Sequence, residues 1–284
     1  MDESDSEVNR EQSVLWNGPG GRAWVEAQAV LDAMFRPFEN LLVEAVASAG
    51  PMAQVLDIGC GTGSTTLAMA RRLGAQAGCT GLDISEPMTA LARQRAKREG
   101  LHAACFVCAD AQVHAFEPAG FDMIVSRFGV MFFEDPVAAF ANLRRAAKPG
   151  AKLACIVWRS PPDNPFMTAA ERAAAPLLPH LPPRQPGAPG QFAFADRARV
   201  TQILADSGWA DIDIQPLDVR CTLSEADLMR YISRLGPVGQ LLQQLDEPDR
   251  AKVLDVMRPA FAPYVHAGQA SYMAACWMVT ARQP

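Results

Sequence analysis

A chain of 284 residues, 49% hydrophobic and 20% charged, is long enough for one large domain or two modest ones and has the composition of a globular protein. Its formal net charge of −5 argues against general nucleic-acid binding, which needs a basic face to meet phosphate, and no run of about 18 apolar residues is present to span a membrane. Seven cysteines, an odd number scattered through apolar segments, point to reduced, buried thiols in a cytoplasmic setting and away from a disulfide framework.

In chain order, MDESDSEVNREQ (1–12) is acidic and polar, unlike a signal peptide or mitochondrial presequence, and reads as a frayed tail. WNGPGGRAW (16–24) follows, then a helical region over about 22–48. There Val30, Leu31, Met34, Phe35, Phe38, Leu41, Leu42 and Val46 recur at helical spacing, and Pro37 is expected to kink or split the helix. From 53 to 158 short apolar runs (53–59, 78–84, 103–108, 121–126 and 152–158) alternate with helical patterns near 64–73, 86–99 and 136–147. Ser85 is placed to cap the second of these, with Glu86 in its positive first turn, Pro87 near its start and Gly100 at its stop. Strands alternating with helices imply a parallel sheet covered on both faces, a doubly wound α/β domain.

Cys105 and Cys108 spell C-x-x-C inside HAACFVCAD, but residues three apart on a strand face opposite ways and no second pair follows. They are expected to be core cysteines, and no metal site is expected. Residues 161–190 are dense in proline around one short helical patch, a length that suggests a lid or binding loop. A helix at 196–207, the strand IDIQPLDVRCTL, helices near 224–235 and 248–261, and a last strand YMAACWMVTA complete the chain. The resulting organisation is a tail and helical cap (1–50), a core (51–160), a proline-rich lid (161–195), and a C-terminal part of the core with further lid helices (196–284).

The stretch that carries chemistry is QVLDIGCGTGSTT, residues 54–66. It contains no lysine, which excludes a standard P-loop, and Ser64 stands where G-x-G-x-x-G requires glycine. Asp57, two residues before the first glycine, would repel a pyrophosphate and suits a cationic ligand. S-adenosylmethionine (SAM), with an ammonium, a sulfonium and no phosphate, is such a ligand, and the glycines would let backbone approach it closely.

DIGCGTG resembles motif I of class I SAM-dependent methyltransferases, and GLDIS, CADAQ, FDMIVSRFGVMFF and LRRAAKPGAKLACIVW fall where that family places its later motifs. Among its branches the closest resemblance is to C-methyltransferases of ubiquinone and menaquinone biosynthesis. The resemblance implies a Rossmann-like sheet of seven strands with the last antiparallel, N-terminal helices, and a helical lid after the fifth strand. It implies that Asp57, Gly59, Cys60, Gly61, Thr62 and Gly63 surround the methionine part of SAM. Asp83, with Ile84 and Met88 beside it, would hold the ribose hydroxyls. Asp110, with Ala111, would meet the adenine amino group, and Ser126 would open toward the methyl-transfer site. Trp16 and Trp24 are candidates to pack against the sulfonium by cation–π attraction. Arg127, Phe128 and Met131 are expected to wall the acceptor pocket, whose apolar surroundings favour a small apolar or aromatic molecule.

The expected activity is methyl transfer to an oxygen or carbon of such an acceptor, leaving S-adenosylhomocysteine (SAH). Should the acceptor need a base, His266 and His180 are the candidates, whereas His102 and His114 read as structural or exposed. Alternatives are methylation of protein or RNA, which would need a basic or extended surface, an NAD-linked oxidoreductase, disfavoured by Ser64 and Asp57, and a non-catalytic protein retaining the SAM fold. The expected partner is therefore a small-molecule acceptor and not nucleic acid, with a homodimer as one candidate assembly.

Overall fold

Strand β1 (Gln54–Ile58) sits near the middle of a single sheet, and the rest of the architecture follows from how the chain leaves and re-enters it. In the computed structural model, which describes residues 9–181, 183–185 and 187–284, β1 is followed by β2 (Gly78–Asp83), β3 (Ala104–Cys108), β4 (Phe121–Arg127), β5 (Ala147–Trp158), β6 (Ala210–Ser224), the two-residue β7 (Val265–His266) and β8 (Gln269–Arg282). The order across the sheet is β3-β2-β1-β4-β5-β8-β6, with β7 paired to β8. Strands β1 to β5 are parallel, and β8 runs antiparallel to both β5 and β6. The seven-strand expectation thus holds along the main path, and the short β7 adds an eighth at the margin.

From β1 the chain winds outward through α4 (Ser64–Leu73) and α5 (Glu86–Glu99) to β2 and β3, then crosses back to β4 on the other side of β1. Right-handed crossovers in opposite directions put α4 and α5 on one face and α6 (Pro136–Ala146) on the other. The reversal between β1 and β4 opens a crevice at the carboxyl ends of the strands, the place where ligands bind in this kind of sheet. Interior strands are mostly apolar, with Val55, Leu56, Ile58, Ile124, Val125 and Ile156 all at most 1% exposed, as burial on both faces demands, and Asp57 of β1 and Ser126 of β4 are buried polar exceptions. Ser85 caps α5 as expected, its hydroxyl accepting from the Met88 N–H.

Ahead of β1 lie α1 (Arg10–Asn17), α2 (Pro19–Glu26) and α3 (Gln28–Ala47). The helix is not split at Pro37: α3 continues through the proline, and the interruption falls at Ala27. Burial of Met34, Phe35, Phe38 and Leu42 against the core, each 3% exposed or less, offsets the one hydrogen bond that proline removes. The frayed-tail expectation also needs correction where the structure describes it. Residues 1–8 lie outside the described residues, but Asn9 is buried and α1 begins at Arg10.

After β5 come α7 (Ala169–Ala174), α8 (Arg197–Asp206), α9 (Glu225–Arg234), α10 (Gly236–Leu242) and α11 (Glu247–Phe261). Helix α8 packs with α6 against the sheet, while α7, α9, α10 and α11 gather around the upper ends of β6 and β8. Phe166 anchors this group, stacked on Tyr272 of β8 at 3.8 Å and edge-on to Phe261 and Tyr264. Asn164 anchors the loop that leads into it. Its carboxamide donates to Ala275 O and accepts from Ala275 N–H, both at 2.9 Å, and so imitates one more strand residue on β8.

All seven cysteines are free, and five are buried. Cys105 is exposed and Cys108 only half-buried, so the expectation of core cysteines fails for this pair. The reason is that β3 is the edge strand, and one of its faces meets solvent.

Candidate active site

The motif-I turn connects β1 to α4 with left-handed backbone at Gly59 (φ 66°), Gly61 (55°) and Gly63 (86°). Gly59 is required twice over, because a Cβ there would also stand 2.5 Å from Gly129 Cα in the turn after β4. Gly61 differs. A Cβ at that position would meet only the Met88 sulfur, at 3.8 Å, so its absence leaves open space. That space belongs to a cavity of about 440 Å³ at the carboxyl ends of the strands, within the range of small-molecule and cofactor sites.

One end of the cavity is lined by Gly59, Gly61, Asp83, Ile84, Asp110 and Ala111, from the last residue of β2 and the turns that follow β1, β2 and β3, and by Met88 of α5. Asp83 accepts from Gly61 N–H (2.8 Å) through one oxygen and from Ser85 N–H (2.9 Å) through the other. Burial raises its carboxyl above the ordinary value, opposed by those backbone bonds. Each oxygen keeps a free lone pair, so Asp83 can still accept from hydroxyl groups. Asp110 accepts from Gln112 N–H (2.9 Å) and, through both oxygens, from the Asn9 carboxamide (3.1 and 3.2 Å).

The N-terminal helices roof this end. Asn9, Gln12, Leu15, Trp16 and Trp24 all line the cavity. Trp16 packs edge-on to Phe132 and Trp24, and its carbonyl accepts from the Ser85 hydroxyl at 2.6 Å. Asn17 adds two bonds to the same turn, donating to Ile84 O and accepting from Glu86 N–H.

The other end is aromatic and carries cations. Phe128 stacks on Trp158 at 4.7 Å, Phe35 stands edge-on to both, and the Arg127 guanidinium lies 5.7 Å from the Phe35 ring centroid. Phe128 holds φ 67°, a left-handed conformation that a bulky residue adopts only under constraint from its surroundings. Met131, Met167, Arg184, Tyr231 and Gln240 complete the wall. Burial lowers Arg127 below its ordinary value, against the pull of Glu39, Asp32 and Asp57, and burial raises the Tyr231 phenol, which therefore stays a neutral donor.

Several expected site residues do not reach the cavity. Asp57 is 1% exposed beneath the turn, where it accepts from the Thr66 hydroxyl at 2.6 Å, and burial holds its carboxyl at about 7. Cys60 is buried, with its N–H donating to Leu82 O, and burial pushes its thiol well up. The Thr62 carbonyl accepts from Arg95, which in turn is paired with Asp32 at 2.6 Å, and Gly63 caps α4 beside Phe106. Ser126 is a brace. Its hydroxyl donates to Ile58 O and accepts from Gly129 and Val130 N–H, locking the turns after β1 and β4 together.

None of the four histidines lines the cavity; His180 and His266, the candidate bases, are exposed in the lid and in the β7–β8 hairpin. Among the described residues no group of three or more His, Cys, Asp or Glu side chains is arranged to hold a metal, and no helix is long and apolar enough to cross a membrane. Conversely, Asn9, Gln12, Phe35, Trp158, Arg184, Tyr231 and Gln240 line the cavity without having been singled out from the sequence. Phe35 and Trp158 carry only a core signal there, and Asn9 lies in a segment whose polarity reads as a tail.

Comparison with known proteins agrees with this geometry. Residues 55–150 match the family model described as a methyltransferase domain. The chain is 35% identical over 116 residues to the demethylmenaquinone methyltransferase of Lactiplantibacillus plantarum, an alignment covering 40% of this chain and 48% of that protein, so it spans about half of that relative's length. It is 29% identical over 191 residues to the demethylmenaquinone methyltransferase of Renibacterium salmoninarum, covering 64% of this chain and 77% of that one. In fold it is similar to the YcgJ protein of Bacillus subtilis, with a TM-score of 0.57 at 16% identity over 86% of this chain and 97% of that one.

Proposed function

We propose that this chain, a member of the class I SAM-dependent methyltransferase family, transfers a methyl group from SAM to an oxygen or ring carbon of a small aromatic acceptor. One observation carries the reading. Two carboxylates at the ends of adjacent strands, Asp83 and Asp110, face one cavity that continues into an aromatic chamber bearing Arg127 and Arg184.

The residues present fit the cofactor. Asp83 retains acceptor capacity for two ribose hydroxyls, Asp110 offers a carboxylate to an exocyclic amine, and the open space at Gly61 admits the amino-acid end against bare backbone. When bound, SAM supplies an electrophilic methyl group on a sulfonium. The protein's share of the chemistry is alignment and exclusion of water. Trp16, Trp24 and the N-terminal helices close the cofactor end, and Phe35, Phe128 and Trp158 hold a flat acceptor.

With no histidine in the cavity, activation of a hydroxylated ring falls to charge. Arg127 favours the ionised hydroxyl of a bound phenol or quinol, which directs electron density to that oxygen and to the ring carbons conjugated with it, while Arg184 is held in an ion pair with Glu171. The neutral Tyr231 hydroxyl and the Gln240 amide are further polar groups that orient it. A reduced, quinol-type acceptor is the substrate class this wall suits, in keeping with the names of the relatives. The test is incubation with methyl-labelled SAM and a panel of naphthoquinols, simple phenols, total tRNA and denatured protein. Label in the quinols or phenols is expected; label in tRNA or protein alone would overturn the reading.

A further inference from the structure

Asn9 carries a feature that the cofactor reading does not use. It is 4% exposed, lines the cavity, and sits in the left-handed region (φ 61°, ψ 20°). Its N–H donates to Glu134 at 2.6 Å and its side-chain amide donates to both oxygens of Asp110. Its carboxamide oxygen Oδ1, however, is buried with no hydrogen-bond partner. An unpaired buried acceptor costs roughly 1–3 kcal/mol, so a site that keeps one has a donor in prospect.

The donor must be one that comes to Asp110, because the same carboxamide is fastened there. We infer that Asn9 is a cofactor-specificity residue, reading the adenine exocyclic amine jointly with Asp110. Of the two N–H groups of that amine, one goes to the Asp110 carboxylate and the other to Asn9 Oδ1. This rests on SAM being the cofactor. It makes the N-terminal segment part of the nucleoside site and couples its docking to the presence of a base with an amine at this position. A base with a carbonyl there offers Asn9 Oδ1 and Asp110 only another acceptor.

Calorimetry with SAH and S-inosylhomocysteine, which replaces the amine with a carbonyl, tests this on the intact protein. Asn9→Gly removes the carboxamide and keeps the left-handed backbone without strain. Asn17→Ala serves as control, because it loosens the same segment at Ile84 and Glu86 without touching the amine. Wild type should bind SAH at least about tenfold more tightly than the inosyl analogue, the value of one well-made polar contact. Asn9→Gly should cut that preference at least about threefold by weakening SAH alone, whereas Asn17→Ala should weaken both ligands alike and preserve the ratio. An unchanged ratio in Asn9→Gly, or tighter SAH binding as expected of a latch that merely blocks Asp110, overturns the inference. If wild type binds neither ligand, the cofactor reading fails and the inference with it.

Discussion

Replacing Asp57 by Asn tests the least expected electrostatic feature of the site, an acid buried beneath the motif-I turn. The carboxyl has an ordinary value of 3.8 and is held at about 7, chiefly by burial and against the Thr66 hydrogen bond and the attraction of Arg127. At about 1.4 kcal/mol per pH unit, that difference is worth roughly 4 kcal/mol of folded-state preference for the neutral form. Between about pH 4 and 7 the folded protein keeps a proton that the unfolded chain has released. The contribution to stability is therefore fully present below pH 4 and is lost as pH rises through 7. The carboxamide of the Asp57→Asn variant is neutral throughout and can still accept from Thr66. Urea unfolding of both proteins should show the variant gaining about 2–3 kcal/mol relative to wild type between pH 5 and pH 8. A stability difference that stays constant within about 0.5 kcal/mol over that range would refute the argument, since no other group is changed.

Gly59→Ala should destabilise the fold by at least about 2 kcal/mol, seen as a lowered urea midpoint, because left-handed backbone and a 2.5 Å approach to Gly129 Cα combine. Asn164→Ala strands the N–H of Ala275, whose carbonyl still accepts from Arg159 N–H, and should cost about 1–3 kcal/mol in the same assay, with no change in the slope of the transition. The double variant His180→Ala, His266→Ala should retain turnover within about twofold of wild type, since both side chains are exposed and outside the cavity; a loss of 10²-fold or more, the scale of general-base removal, would restore them as bases.

What could be read from the sequence was whatever depends on local rules. The alternation from residue 53 to 158 placed β1 to β5 and α4 to α6 to within a few residues, since buried parallel strands and capped helices carry their signals in neighbouring residues. The positions of Asp83 and Asp110 beside one cavity could be anticipated, because Asp83 closes β2 and Asp110 follows two residues after β3. Contacts between distant segments were not legible. Asp57 looks like a ligand group from its place before the glycines, yet the pleat of β1 turns it away toward Thr66. Asn9 lies 101 residues from Asp110 in the chain, and nothing in an acidic, polar segment announces that partner. Tyr231 and Gln240 belong to late helices whose packing over the cavity depends on Phe166 and Asn164, again a tertiary matter. Pro37 shows the same priority, because burial of its helix outweighs a local breaker.

The central claim is that the cavity is a SAM site read by Asp83. Isothermal titration of wild type and Asp83→Ala with SAH and with NAD tests it most directly. The account predicts that wild type binds SAH and not NAD, and that Asp83→Ala weakens SAH by about 1–3 kcal/mol through loss of the ribose contacts, measured well below its urea midpoint, which falls because the Gly61 and Ser85 N–H groups lose their acceptor. Binding of NAD in preference to SAH, or an SAH affinity indifferent to Asp83, would contradict it.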